Sequence, residues 1–150
     1  MKKRTLIVLL ILLAVAAGAY IIYSKYEQKN PDLQNSKPEI TIAAMELILA
    51  FDKDSAAARI KYVDKLLEVS GMVMSVDSSG SVVLGEEGNP SSVTVSLDRR
   101  HVNDHLKLSV GKEAVLKGMC TGYSKAAGDD LLASLGTTVE LNFASVVEIK

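Results

Sequence analysis

Apolar residues along the chain change their spacing three times, and each change marks a different kind of element. From Thr5 to Ser24 (TLIVLLILLAVAAGAYIIYS) twenty positions pass without a charge. At about 1.5 Å per residue, a helix of that length spans roughly 30 Å, the hydrocarbon thickness of a bilayer. Ser24 to Pro38 (SKYEQKNPDLQNSKP) then loses all apolar periodicity and carries two of the three prolines, which reads as a tether. The expected division is an anchor over 1–24, a linker over 25–38 and a single domain over 39–150.

The domain opens with helical spacing. Thr41 is the expected N-cap for Ile42, Met45 and Leu49, with Glu46 in the early turns. A second short helix is expected from Ser55 to about Lys65, capped by Ser55, with Ile60, Val63 and Leu67 as its apolar stripe. Both are too short to stand alone, so Phe51 and Tyr62 are the expected anchors into a common core.

After Leu66 the period falls to two. Leu67, Val69, Gly71 and Val73 share one face; Asp77-Ser78-Ser79-Gly80 reads as a turn, and Ser81 to Leu84 returns as the second strand. Val93, Val95 and Leu97 alternate with Ser92, Thr94 and Ser96, a half-buried third strand. Asp98 to Ser109 breaks the alternation and is expected to be a short helix capped by Asp98. Glu113 to Met119 gives a fourth strand, Thr121 to Gly136 a loop, and the last strand starts near Thr138 with Val139, Leu141, Phe143, Val147 and Ile149 on one face. Five strands with a helix between the third and fourth is the order of the OB-fold barrel. The mid-strand glycines Gly71 and Gly118 fit strands that bend to close it. The expected fold class is therefore mainly β: a five-stranded OB-fold barrel preceded by two short helices and an N-terminal transmembrane helix.

The flanks of the first segment set its expected role. Met1-Lys2-Lys3-Arg4 precedes it, and two A-x-A triplets, Ala14-Val15-Ala16 and Ala17-Gly18-Ala19, suit a signal peptidase. Tyr20-Ile21-Ile22-Tyr23 carries the apolar run past both, so a retained anchor is the reading and a cleaved signal peptide its alternative. The single cysteine, Cys120, rules out a lipoprotein signal and an internal disulfide. The basic flank places the N-terminus in the cytoplasm and the domain in a periplasm or outside the cell, as a single-pass membrane protein. From Glu39 to Lys150, 11 Lys and Arg against 16 Asp and Glu leave a net charge of −5. A domain so charged has no general attraction to phosphate backbones.

Several short patterns resemble a known family: Ala44-x-Glu46-Leu47, Phe51, Ala58-x-x-Lys61-Tyr62-x-x-Lys65, Glu68-Val69-Ser70-Gly71-x-Val73 and Lys117-Gly118-x-Cys120-Thr121-Gly122-Tyr123. Together, over roughly Ile40 to Ile149, they resemble the tRNA_anti-like family of short OB-fold proteins of bacterial envelopes. The resemblance implies the fold and brings no catalytic residue with it.

Four places invite chemistry. The second and third strands, the usual nucleic-acid face of this fold, read SVVLGE and SVTVSL and offer neither an aromatic ring nor a cation. His101 and His105, at i and i+4, have a spacing that can hold a metal, with Asp98 or Asp104 beside them; a solvated helix face is the simpler reading. Cys120 reads as a small buried hydrophobe rather than a nucleophile, since no base accompanies it. The segment Tyr123 to Gly136 is the candidate partner-binding loop, through Tyr123, Lys125, Leu131, Leu132 and Leu135. No Ser-His-Asp order, H-E-x-x-H, C-x-x-C or phosphate-binding glycine loop is present. The expectation is a non-catalytic binding or interaction module without a cofactor, its partner a protein or envelope component. The alternatives are an oligonucleotide binder of the same fold and, last, a small hydrolase.

Overall fold

The computed structural model describes residues 3–28, 33–125 and 136–150, with side chains in the first stretch for residues 11–23. Two compact units divide the chain, Met1–Pro31 and Asp32–Lys150. The first is the continuous helix α1, Lys3–Gln28. It runs past residue 24 because Lys25, Glu27 and Gln28 are themselves good helix formers. Among the described residues no helix is long and apolar enough to cross a membrane. Within α1 the described side chains are those from Ile11 to Tyr23.

The second unit runs β1 (Ile40–Ala43), α2 (Ala44–Lys53), α3 (Ser55–Tyr62), β2 (Leu66–Val76), β3 (Ser81–Gly85), β4 (Ser92–Leu97), a 3₁₀ turn (Val102–Lys107), β5 (Glu113–Lys125) and β6 (Thr137–Ile149). Strand β2 pairs with β3, β3 with β4, β4 in parallel with β6, β6 with β5, and β5 back with β2. The sheet is thus closed into the expected five-stranded barrel. Closure needs a long, bent β2: Leu66 to Met72 pairs with β5 and Met72 to Val76 with β3, with a bulge between Val73 and Ser75.

The period-two pattern predicts the inside of this barrel correctly. Leu67, Val69 and Val73 of β2, Val82 and Leu84 of β3, and Val93 and Val95 of β4 are all buried, as are Leu116 and Cys120 of β5 and Val139 and Leu141 of β6. Helix α2 closes one end with Leu47, Ile48 and Phe51, each wholly buried. Burying such a side chain is worth about 1.5–3 kcal/mol. The helix comes so close because Gly71 has no side chain: a Cβ there would lie 2.9 Å from that of Ala44.

Several expected boundaries shift. Thr41 is not an N-cap but lies inside β1, which pairs in parallel with Leu67 to Ser70 of β2. Asp54, not Ser55, caps α3 by accepting from the Ala57 N–H at 3.0 Å. The helix ends at Tyr62 rather than near Lys65, because Asp64 takes a positive φ of 62°. Ile60 is 83% exposed and does not belong to the inner stripe, which is Ala58 and Tyr62. Asp98 to Ser109 contains only the six-residue 3₁₀ turn. Strand β5 does not stop near Met119 but continues to Lys125. In β6, Phe143 takes φ 55° and the pairing with β5 slips nearby, so Ala144 and Val146 turn inward while Val147 and Ile149 are exposed.

The expected linker is also shorter than the sequence suggests. Leu33 is buried, the Ser36 N–H donates to the Leu33 carbonyl, and Lys117 Nζ donates to the carbonyls of Gln34 at 2.7 Å and Ser36 at 2.8 Å. Residues 33–36 are part of the barrel unit, not a free tether.

Candidate binding groove

Strand β5 is longer than the barrel that it closes. Its pairing with β2 ends where Met119 faces Leu66, whereas its pairing with β6 runs on to Lys125 opposite Thr137. From Thr121 to Lys125, then, one edge of β5 has no strand partner among the described residues. The connection from α3 to β2 sits beside the point where the pairing ends. The Asp64 N–H donates to the Cys120 carbonyl at 2.8 Å, and the Cys120 N–H donates to the Lys65 carbonyl at 3.0 Å. These two bonds set α3 alongside the open edge and leave a groove between them.

The groove has a volume of about 690 Å³ and is lined by Arg59 and Val63 on one side and Thr121 to Lys125 on the other. The Tyr123 ring packs against Phe51 with centroids 4.7 Å apart, and Phe51 in turn lies 6.2 Å from the Tyr62 ring. The Tyr123 ring is therefore braced by the core and half-exposed to the groove. Lys125 Nζ donates to the Asp52 carbonyl at 3.2 Å and lies 3.7 Å from its carboxylate. Arg59 is exposed, and its guanidinium has no hydrogen-bond or ion-pair partner among the described residues. Thr121 Oγ1 accepts from the Asn142 amide at 2.8 Å, which ties the start of the open edge to β6.

The candidate residues fare unequally. Tyr123 and Lys125 do line a groove, but as part of a strand; Leu131, Leu132 and Leu135 lie outside the described residues. Arg59, 64 positions from Tyr123, is the groove residue that the sequence does not single out. His101 and His105 do not share a face. The segment is a 3₁₀ turn, whose three residues per turn set positions four apart about 120° away from each other. His101 is its N-cap, and His105 Nδ1 donates to the Val102 carbonyl at 2.6 Å. Among the described residues no group of three or more His, Cys, Asp or Glu is placed to hold a metal ion.

Cys120 is fully buried, and burial pushes its thiol up to about 11. At that value a thiol is inert at neutral pH. Asp98 moves the other way: hydrogen bonds from the Arg100 side chain and N–H hold its carboxyl down at about 2. It fixes the turn after β4, where its own N–H donates to the Ala144 carbonyl. The outward positions of β3 and β4 are Ser81, Val83, Ser92, Thr94 and Ser96, so that face carries no ring and no cation.

Comparison with known proteins agrees with this architecture. A solved structure from Klebsiella pneumoniae subsp. pneumoniae, described as a "putative nucleic acid-binding lipoprotein", superposes with a TM-score of 0.51 at 18% identity, covering 71% of this chain and 91% of that one. A second, a "putative aspartyl-tRNA synthetase" from Leishmania major Friedlin, gives a TM-score of 0.41 at 12% identity. That likeness covers 80% of this chain and only 23% of the synthetase. No curated protein matches the sequence. The tRNA_anti-like family model matches residues 1–132, so it takes in the N-terminal segment as well as the barrel through β5. The chain belongs to the tRNA_anti-like family, and its barrel has the OB topology.

Proposed function

We propose that the protein is a non-catalytic binding module, held in a membrane by α1 and displayed outside the cytoplasm, with the groove between α3 and β5 as its site for a protein or envelope component. One observation carries the reading: a concave site that gathers a braced aromatic ring with a guanidinium and a strand edge that have no partner among the described residues. Such convergence of apolar and polar groups in a cleft is the usual mark of a binding site. The anchor rests on the uncharged run Thr5–Ser24 inside a continuous helix and on the Lys2-Lys3-Arg4 flank. The non-catalytic part rests on the lining itself. Among the described lining residues, Thr121, Tyr123 and Ser124 bring hydroxyls and Arg59 and Lys125 cations, a set suited to recognition.

A photocrosslinking residue at Ser124, compared with one at Thr94 on the β3–β4 face, tests the site in intact envelopes. Adducts at Ser124 that vanish in Arg59→Glu are expected; adducts at Thr94 alone would refute the groove. Protease added outside a permeabilised outer layer should digest the domain, and its protection until the inner membrane is lysed would refute the orientation.

An oligonucleotide is the second reading, because Tyr123 beside Arg59 and Lys125 offers a stacking ring among cations. The net charge of −5 and the bare β3–β4 face argue against it. Fluorescence anisotropy with labelled homopolymers separates the two. Micromolar binding that weakens steeply with salt would favour the second reading.

A further inference from the structure

We infer that the groove receives its partner by strand addition: an extended, acidic segment of another protein pairs with the open edge of β5 from Thr121 to Lys125. The inference rests on the groove being the binding site and names what fills it. Along a strand bonded on one side only, every second residue turns its N–H and C=O to the free side. Such an edge is a template for another strand unless something blocks it. Blocking is usual, by proline, by a bulge that twists the edge away or by a covering helix. Thr121-Gly122-Tyr123-Ser124-Lys125 contains no proline; the pairing with β6 slips once, at Thr121, and is regular from Gly122 to Lys125. Among the described residues nothing covers this edge: helix α3 stands off from it, and the groove is the gap. At about 3.3 Å per residue, the regular part of the edge offers a register of roughly 13 Å, enough to pair the middle of a five-residue segment.

The side chains define the chemistry of the added segment. Main-chain bonds would supply much of the affinity and side-chain pockets the selectivity, as in other strand-addition modes. Tyr123 and Val63 present apolar surface, suited to a β-branched or aromatic residue. Arg59, which lines the groove across from the edge and has no ion-pair partner among the described residues, suits a carboxylate one position away on the alternating strand. Lys125, at the far end of the edge, is already ion-paired with Asp52 at 3.7 Å, so Arg59 is the cation that the segment meets first. A segment that alternates apolar and acidic residues meets both demands. A nucleic acid cannot use the edge in this way, because it has no alternating amide ladder to offer.

The test uses the full chain in detergent micelles and a blocked peptide, acetyl-Val-Glu-Val-Glu-Val-amide, as the probe. Binding is expected, with slowed hydrogen exchange at alternate amides of residues 121–125. Methylating the peptide nitrogens at alternate positions keeps every side chain but removes the donors, and should abolish binding. A Val-Lys counterpart should bind at least about tenfold more weakly, and Arg59→Gln should weaken the acidic peptide by about the same factor. Binding that survives N-methylation would overturn strand addition while leaving the groove as the site. Failure of the peptide to bind, alongside Arg59-dependent Ser124 crosslinks, would also overturn strand addition and leave the groove reading intact. Absence of those crosslinks would remove the groove reading itself. Displacement of the peptide by an oligonucleotide that binds more tightly would replace the inference with the second reading.

Discussion

Lys117 Nζ donates a hydrogen bond to the Ser36 carbonyl at 2.8 Å across 81 positions of sequence. A lysine only 8% exposed on the outer face of a strand is unusual, and the carbonyls of Gln34 and Ser36 are what satisfy it. Ser145, directly opposite on β6, is buried on the same outer face, so the cover extends over both strands. Lys117→Met should lose two charge-assisted bonds and lower stability by about 1.5–3 kcal/mol. Hydrogen exchange at the Ser36 amide should quicken far more than exchange in the core. Equal protection in the two proteins would show that the segment does not depend on the lysine.

Gly71 and Ala44 form a packing pair that admits no extra carbon. Gly71→Ala would place its Cβ 2.9 Å from that of Ala44 and 3.3 Å from that of Leu84. Overpacking of this kind costs about 1–3 kcal/mol. The double variant Gly71→Ala with Ala44→Gly should recover part of the loss, giving a coupling energy above about 0.5 kcal/mol. Strict additivity in thermal denaturation would place the strain elsewhere.

Acid should weaken the barrel at one identifiable point. The folded-state pKa of Asp98 lies at about 2, below its usual 3.8, chiefly through the Arg100 hydrogen bond. A depressed carboxyl contributes stability that is complete above the unfolded value and is lost as pH falls through the folded one. The loss should therefore develop between about pH 4 and pH 2. Arg100 is half-exposed, so screening limits the effect to about 1–2 kcal/mol. Asp98→Asn should flatten this part of the stability profile, measured by urea unfolding at each pH. An unchanged slope would discount the pair.

The barrel was legible because its period is simple. Val93, Val95 and Leu97 against Ser92, Thr94 and Ser96 specify which face of β4 is inside, and the burial follows. Strand β1 was not legible: Ile42 begins a spacing with Met45 and Leu49 that suits a helix equally well, and only the parallel pairing with β2 decides. The reversal after Phe143 was hidden too, since a one-residue slip in a ladder leaves no turn residue behind. The groove was half-legible. Tyr123 and Lys125 stand out beside a glycine, but Arg59 joins them only through the bonds that Asp64 and Lys65 make to Cys120. Those are main-chain bonds, and no side-chain pattern announces them.

Cys120 should behave as a silent thiol until the barrel opens. Burial raises its pKa from 9.0 to about 11, and no neighbouring cation offsets that. At pH 8 about one molecule in a thousand would carry the thiolate, the only form that alkylates readily. Iodoacetamide should therefore label the folded protein very slowly, with the rate rising about tenfold per pH unit and no plateau below about pH 11. Mild denaturant should release rapid labelling. The same shift has a consequence for stability in alkali. Above pH 9 the unfolded thiol gives up its proton while the folded one keeps it, so stability falls with rising pH between about 9 and 11. Cys120→Val, similar in volume and unable to ionise, should lack that part of the fall. Fast labelling of the native protein at pH 7.5 would show the thiol to be open and ionised, and would undo the reading of Cys120 as a core residue.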